Sequence, residues 1–149
     1  MLSRVAASYE ANLALREELL QEICLAVWQA LSRFKGDSNI KTYIMRVAHN
    51  RAVSHVSVHA RRPGEEYYED AHHQDPTPQQ DQHVINEQKS ALLLAAVRSL
   101  PVQQRQIFTM AMEGLSYQDI AEVSGVTVNN VGVILNRTKQ ALTQKVVQS

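Results

Sequence analysis

The stretch Gly114-Leu-Ser-Tyr-Gln-Asp-Ile-Ala-Glu-Val-Ser-Gly-Val-Thr127 punctuates itself twice. Ser116, followed three residues later by Asp119, has the spacing of a capping box with the shorter acid in the usual Glu position, so a helix should open at Tyr117. Gly125 can take the left-handed conformation that ends such a helix, and Thr127 can cap another running to Val147. A short helix, a glycine turn and a longer helix make a helix-turn-helix. On the last helix Val131, Leu135, Thr138 and Leu142 share an inward face, while Asn129, Val133, Asn136, Arg137 and Gln140 point away. Amides and an arginine near the exposed start of a second helix can reach base edges and phosphates in a major groove. The same pattern also fits an ordinary helical hairpin with a polar outer face.

Upstream, a helix from about Asn86 carries Leu92, Leu93, Ala96 and Val97 and stops before Leu100. Pro101 opens the next one, which runs through Ile107, Phe108 and Ala111 to Gly114. Before these lies a different kind of sequence. Residues 63–83 hold six acids, three prolines and no Lys or Arg, with no apolar periodicity. Such a segment buries too little surface to offset its ordering entropy and reads as a flexible acidic tether. The overall charge of zero hides this division: residues 1–62 sum to +4, residues 63–83 to −6 and residues 84–149 to +2. Two basic modules joined by an acidic strap are expected.

In the first module Leu20, Ile23, Cys24, Val27, Leu31 and Phe34 recur at helical spacing, predicting a helix over about Arg16–Arg33 with Cys24 as an inert core thiol. Gly36-Asp37-Ser38 breaks the chain and offers capping oxygens to a second helix, which should bury Ile40, Tyr43, Ile44 and Val47 and reach Arg61-Arg62. Opposite the first helix's core stripe lie Glu18, Gln21, Glu22, Leu25, Gln29 and Ser32, with Trp28 at the border. A solvent-facing leucine beside a tryptophan, ringed by amides and acids, has the composition of a protein-docking surface.

Several function classes fall away. No apolar run approaches the ~18 residues of a membrane span, and Arg4 and Glu10 interrupt any signal-peptide pattern, so a soluble cytoplasmic chain is expected. The single cysteine excludes an internal disulfide framework. His55 and His59 stand four apart with His49 six residues earlier, a spacing that could hold a metal in an enzyme. No acid sits between His55 and His59 as a general base, and all three are expected on a polar helix face. There is no Gly-rich phosphate loop, nucleophile elbow or carboxylate pair. The reading is an all-α chain of two small helical domains, 1–62 and 84–149, joined by the linker 63–83, with no catalysis, cofactor or metal.

Taken together, these residues resemble a bacterial RNA polymerase sigma factor of the extracytoplasmic-function (ECF) class of the sigma-70 family, over nearly the whole chain. Glu17-Glu-Leu-Leu-Gln-Glu-Ile-Cys-Leu-Ala-Val-Trp28 is similar to the polymerase-docking motif of region 2, and Phe34 to Asn50 to its promoter-melting and −10 segment. Leu100-Pro101, Arg105, Phe108 and Gly114 to Ala121 resemble region 4, and Asn130 to Leu142 its recognition helix.

The resemblance implies that Leu20, Gln21, Glu22, Leu25, Trp28 and Gln29 dock on the coiled coil of the polymerase β′ subunit. Lys35, Ser38, Asn39, Lys41, Tyr43, Arg46, Asn50, Arg61 and Arg62 would hold the unwound −10 element, where a base is read out of the stack. Ser116, Tyr117, Asn130, Val133, Asn136, Arg137 and Lys139 would lie against the −35 duplex. The tether would thread the channels of the core enzyme, which includes the β subunit, and an anti-sigma factor would be the regulating partner.

The departures are specific. Glu18 replaces the family Asp, Tyr43 its −10 tryptophan, Ser54 and Ser57 an Asp and an Arg, and Ile134 a recognition-helix arginine. The chain also starts late relative to the family's first helix. A free-standing helix-turn-helix regulator is the alternative, and it would bind duplex DNA without polymerase.

Overall fold

The computed structural model describes residues 1–59 and 82–147. Within them the chain forms seven α-helices and no strand: α1 Leu2–Tyr9, α2 Leu13–Leu31, α3 Ile40–His59, α4 Gln82–Arg98, α5 Val102–Met112, α6 Tyr117–Ser124 and α7 Val128–Val147. The expected acidic tether, and with it Arg61 and Arg62, lies outside the described residues, except that α4 begins at Gln82, two residues earlier than the expected boundary.

Helix α1 was not anticipated. It buries Val5, Ala6, Ser8 and Tyr9, a face whose small and polar members carry little hydrophobic signal. Glu10 ends it in an extended conformation, and Asn12 caps α2 by accepting from the Leu15 amide at 3.1 Å. Arg16 fastens this corner, donating to the Glu10 carbonyl at 2.9 Å and the Ala11 carbonyl at 3.0 Å. Helix α2 therefore starts three residues before the expected boundary.

The core line of α2 is Leu19, Ile23 and Val27, a strict i, i+4, i+8 row. Cys24 lies about 100° around the helix from Ile23 and is exposed, not buried as expected. Leu31, at 37% exposure, also drops out of the stripe. Helix α3 is rotated relative to the expectation as well. It buries Thr42, Met45, Ala48, His49, Ala52 and His55, while Ile40 is exposed and Tyr43, Ile44 and Val47 are only partly buried. Its start is governed by Asn39, whose side chain accepts from the Lys41 amide at 2.9 Å, not by Asp37 or Ser38.

The C-terminal helices follow their punctuation. Pro101 precedes α5, and Ser116 Oγ accepts from the Asp119 amide at 3.1 Å. Gly125 closes α6 at φ 80°, the left-handed conformation that glycine adopts without penalty. Thr127 Oγ1 accepts from the Asn130 amide at 3.2 Å. Ala96, Val97, Leu100, Ile107, Met110, Ile120, Val131, Leu135 and Leu142 fill the interior between these helices. Leu92 and Leu93, expected inside, are 43% and 41% exposed. Arg105 locks the α4–α5 corner by donating to the carbonyls of Arg98 at 2.5 Å and Leu100 at 2.9 Å.

The two helical groups also meet each other. Helix α1 packs on α4 and α5, and α3 packs on α5 and α6. The Arg105 guanidinium sits 5.2 Å from the centre of the Tyr9 ring, and Arg98 donates to the Ala7 carbonyl at 2.8 Å. The interior is one continuous apolar cluster running from Val5 to Leu142.

Candidate nucleic-acid and polymerase interfaces

The outward face of α2 is built because its core row is narrow. With Leu19, Ile23 and Val27 turned inward, Leu25 is left 58% exposed and Trp28 75% exposed. Glu18, Gln21, Gln29 and Ser32 surround them in the open, whereas Leu20 is half-buried against the core. Trp28, Gln29, Leu31, Ser32 and Arg33 line one continuous depression. Glu22 faces Arg51 of α3 at 3.6 Å, which places a cation beside this surface that the sequence reading did not include. A tryptophan this exposed is costly for a lone chain and suits a surface covered by a partner.

Polar side chains run through the turn before α3 and along the helix. Lys35, Asn39, Lys41 and Asn50 are exposed, and Ser38 and Arg46 are partly so. Tyr43 is pinned: its hydroxyl donates to the Ala30 carbonyl at 2.8 Å and its ring lies 5.0 Å from that of Phe34. The aromatic surface it offers is therefore set by α2 and the turn that follows it, and is partly covered.

Two of these cations also meet the C-terminal helices. Arg46 meets Glu122 of α6 at 3.2 Å, and Lys41 Nζ donates to the carbonyl of Glu113. Arg4 of α1 grips the Glu113 carboxylate in bidentate fashion at 2.5 and 2.9 Å. That hydrogen bond, with the charges of Arg4, the N-terminal ammonium and Lys41, holds the Glu113 carboxyl below the ordinary carboxylate range.

In the helix-turn-helix the inward face of α7 is as expected: Val131, Leu135, Thr138 and Leu142 are buried. Asn129, Asn130, Val133, Asn136, Arg137, Lys139 and Gln140 are exposed on the other side, as are Ser116 and Tyr117 at the start of α6. Tyr117 lies against Gly132, whose missing Cβ would come within 3.5 Å of the ring. Ile134 packs against the core, so the family arginine it replaces has no polar substitute there. The Ser116 hydroxyl accepts from its own helix, which uses a lone pair and not the O–H that a phosphate would accept from.

The histidines are not on a polar face, contrary to expectation. His49 and His55 are buried at 0% and 6% exposure. The Tyr9 hydroxyl and His49 Nδ1 share a hydrogen bond at 2.9 Å, and His49 Nε2 faces Thr109 at 3.5 Å. Burial lowers the His49 pKa to about 4 and raises that of the Tyr9 phenol. His55 Nε2 donates to Glu10 at 3.0 Å, and the His59 ring lies 4.2 Å from that of His55. Among the described residues no group of three or more His, Cys, Asp or Glu could hold a metal ion, and no helix is long and apolar enough to cross a membrane.

Comparison with known proteins identifies the family. The model of sigma-70 region 2 matches residues 1–62 and that of sigma-70 region 4 matches residues 90–142. The RNA polymerase sigma-H factor of Pseudomonas aeruginosa is 28% identical over 135 residues, spanning 85% of this chain and 70% of its own length. The ECF RNA polymerase sigma-E factor of Escherichia coli is 26% identical over 138 residues, spanning 87% and 72%. Among solved structures, the sigma factor RpoE of Bartonella quintana, crystallised with the anti-sigma factor NepR, superposes with a TM-score of 0.72 at 20% identity, over 97% of this chain and 88% of that one. CnrH, in complex with the cytosolic domain of CnrY, superposes with a TM-score of 0.65 at 19% identity, over 96% and 78%. These two likenesses are of fold. Neither regions 2 and 4 nor these relatives are enzymes by family, and with both regions present in order the chain belongs to the sigma-70 family as an ECF sigma factor.

Proposed function

We propose that this chain binds core RNA polymerase, both β′ and β subunits, and directs it to promoters by recognising −10 and −35 elements from the cytoplasm. The observation that carries the reading is the pairing of two surfaces on one chain. One is the Leu25–Trp28 face, 58% and 75% exposed. The other is the outward row of α7, rich in amides and basic groups.

Residues 1–62 form the polymerase and −10 domain, with Leu20, Gln21, Glu22, Leu25, Trp28 and Gln29 docking. Leu20 contributes from the half-buried edge of that face. Lys35, Ser38, Asn39, Lys41, Tyr43, Arg46 and Asn50, with Arg61 and Arg62, hold the unwound strand. Residues 84–149 form the −35 domain, where Ser116, Tyr117, Asn130, Val133, Asn136, Arg137 and Lys139 meet the duplex. Phosphate contacts there set register, while the amides and Val133 face the base edges.

The chain carries out no bond chemistry; the polymerase does. An anti-sigma factor regulates it by covering the polymerase-facing surfaces, as the relatives crystallised with NepR and CnrY bind such partners or domains. In vitro transcription with core polymerase and a promoter library tests the whole reading. It should yield transcripts from templates sharing two spaced sequence elements, and no enrichment would overturn it.

A further inference from the structure

Two outward residues of α7, Asn129 and Gln140, have no part in the −35 assignment above, although both are exposed. The buried residues Val131, Leu135, Thr138 and Leu142 fix the inward direction of the helix. At about 100° per residue, the line pointing directly away from them passes within about 10° of Val133 and about 30° of Asn129. Asn136 and Arg137 stand about 50° to either side of that line. Gln140 lies near it too, but about 10 Å further along the helix than Val133.

A recognition helix in a major groove presents its first residues to the base edges. Asn129 and Val133 are therefore the pair aimed most directly at the groove floor. At i and i+4 their Cβ atoms stand about 5–6 Å apart, within reach of neighbouring base pairs. Thr127 supplies the cap of α7 through the Asn130 amide at 3.2 Å, so the helix start does not need the Asn129 side chain.

The two side chains differ in what they accept as a partner. A primary amide carries a donor and an acceptor side by side, which matches N7 and N6 of adenine; guanine presents two acceptors there and cytosine a single donor. Val133 is 45% exposed and neither donates nor accepts. The one apolar group on a major-groove base edge is the C5-methyl of thymine.

We propose that Asn129 is a specificity-determining residue of −35 recognition and that, with Val133, it reads an adenine and a thymine on neighbouring base pairs. The inference rests on the −35 assignment of α7 and adds the identity of the bases. Arg137, off the line, takes a phosphate, so no guanine is required beneath Asn129 and Val133.

The test uses promoter duplexes recovered from the random library with core polymerase and the full chain. Across the −35 element each adenine is replaced in turn by an analogue with carbon in place of N7, and each thymine by uracil, which lacks the methyl group. Binding with core polymerase present is read by fluorescence anisotropy. One adenine substitution should weaken wild-type binding by about three- to tenfold, the loss of one hydrogen bond. Uracil at one thymine of a neighbouring base pair should weaken it by about fourfold, the loss of one buried methyl. Asn129→Ala should bind the natural duplex about fivefold or more weakly and be indifferent to the adenine analogue. Val133→Ala should be indifferent to uracil. Asn129→Arg should shift the preference at that adenine to guanine, whose N7 and O6 both accept. Pull-down by core polymerase without DNA should match wild type for all three variants, which separates base reading from misfolding.

Analogues that cost wild type and variants equally overturn the inference, as does a guanine required at the position that Asn129→Ala disturbs. Failure of the −35 assignment itself has another signature: replacing the whole −35 element costs the wild type no affinity.

Discussion

The hydroxyl of Tyr9 and Nδ1 of His49 share a hydrogen bond at 2.9 Å, joining α1 to α3 at a point where both side chains are buried. His49 meets Tyr9 from α1 and Thr109 from α5, with the Glu113 charge acting at longer range. Burial lowers its pKa to about 4, against an ordinary 6.5. Between those values the unfolded chain binds more protons than the folded one, so stability rises with pH. It is complete above pH ~6.5 and is lost as pH falls towards ~4, by about 2–3 kcal/mol at pH 4.5. Urea unfolding at pH 7.5 and pH 4.5 should show this loss in the wild type and a shallower one in His49→Gln. Equal slopes would contradict it.

Glu10 and His55 form a second buried contact, with side chains 4% and 3% exposed. Glu10 also accepts from the Asn12 amide at 3.3 Å, so it fixes the α1–α2 break as well. Removing one partner strands the other without water, and Glu10→Ala should cost about 3 kcal/mol. Thermal unfolding checks this; a shift no larger than that of an exposed control such as Glu17→Ala would contradict it.

These two contacts mark the limit of what the amino-acid sequence reveals. Ser116, Gly125 and Thr127 act locally, through caps and a left-handed turn, so α6 and α7 can be placed from sequence nearly to the residue. The inward row of α7 is legible for the same reason, since four residues at helical spacing meet one apolar surface. Helix α3 is different: it packs on α1, α2, α5 and α6, and its most buried positions include Thr42, His49 and His55. Hydrophobic periodicity assigns such polar groups to solvent, because their partners, Tyr9 and Glu10, lie forty or more residues away. Cys24 was misplaced by a smaller effect: apolar neighbours at Leu20 and Ile23 widen the apparent stripe, while the real core row is a single line. The contact of α3 with α5 and α6 includes Arg46 with Glu122 and Lys41 with the Glu113 carbonyl, and no pattern of charges along the chain announces which will meet.

Trp28, 75% exposed, gives a clean separation of folding from binding. Trp28→Ala should leave stability within ~0.5 kcal/mol of wild type. It should weaken association with core polymerase by about 30-fold or more, as for a central aromatic anchor. Denaturant midpoints and a polymerase pull-down titration check the two halves. Lost stability together with unchanged polymerase binding would contradict the assignment of this face.

Arg137 is exposed on the outer side of α7 and is assigned to the −35 duplex. In the polymerase-bound state, Arg137→Ala should reduce the salt slope of promoter binding by about one unit. Ile134 packs inward, so the position where the family has an arginine supplies no cation to make good the loss. Binding measured over a salt series decides it, and an unchanged slope would remove Arg137 from the phosphate contacts.

The most direct measurement follows fluorescence anisotropy of a promoter duplex recovered from the transcription library, titrated with this chain alone and then with core polymerase present. Alone, the chain should bind with a Kd in the range of about 10⁻⁴–10⁻⁶ M, indifferent to sequence. With core polymerase, binding should tighten to about 10⁻⁸ M or below and depend on both promoter elements. Tight, sequence-specific binding by the chain alone, unchanged on adding polymerase, would instead identify a free-standing helix-turn-helix regulator.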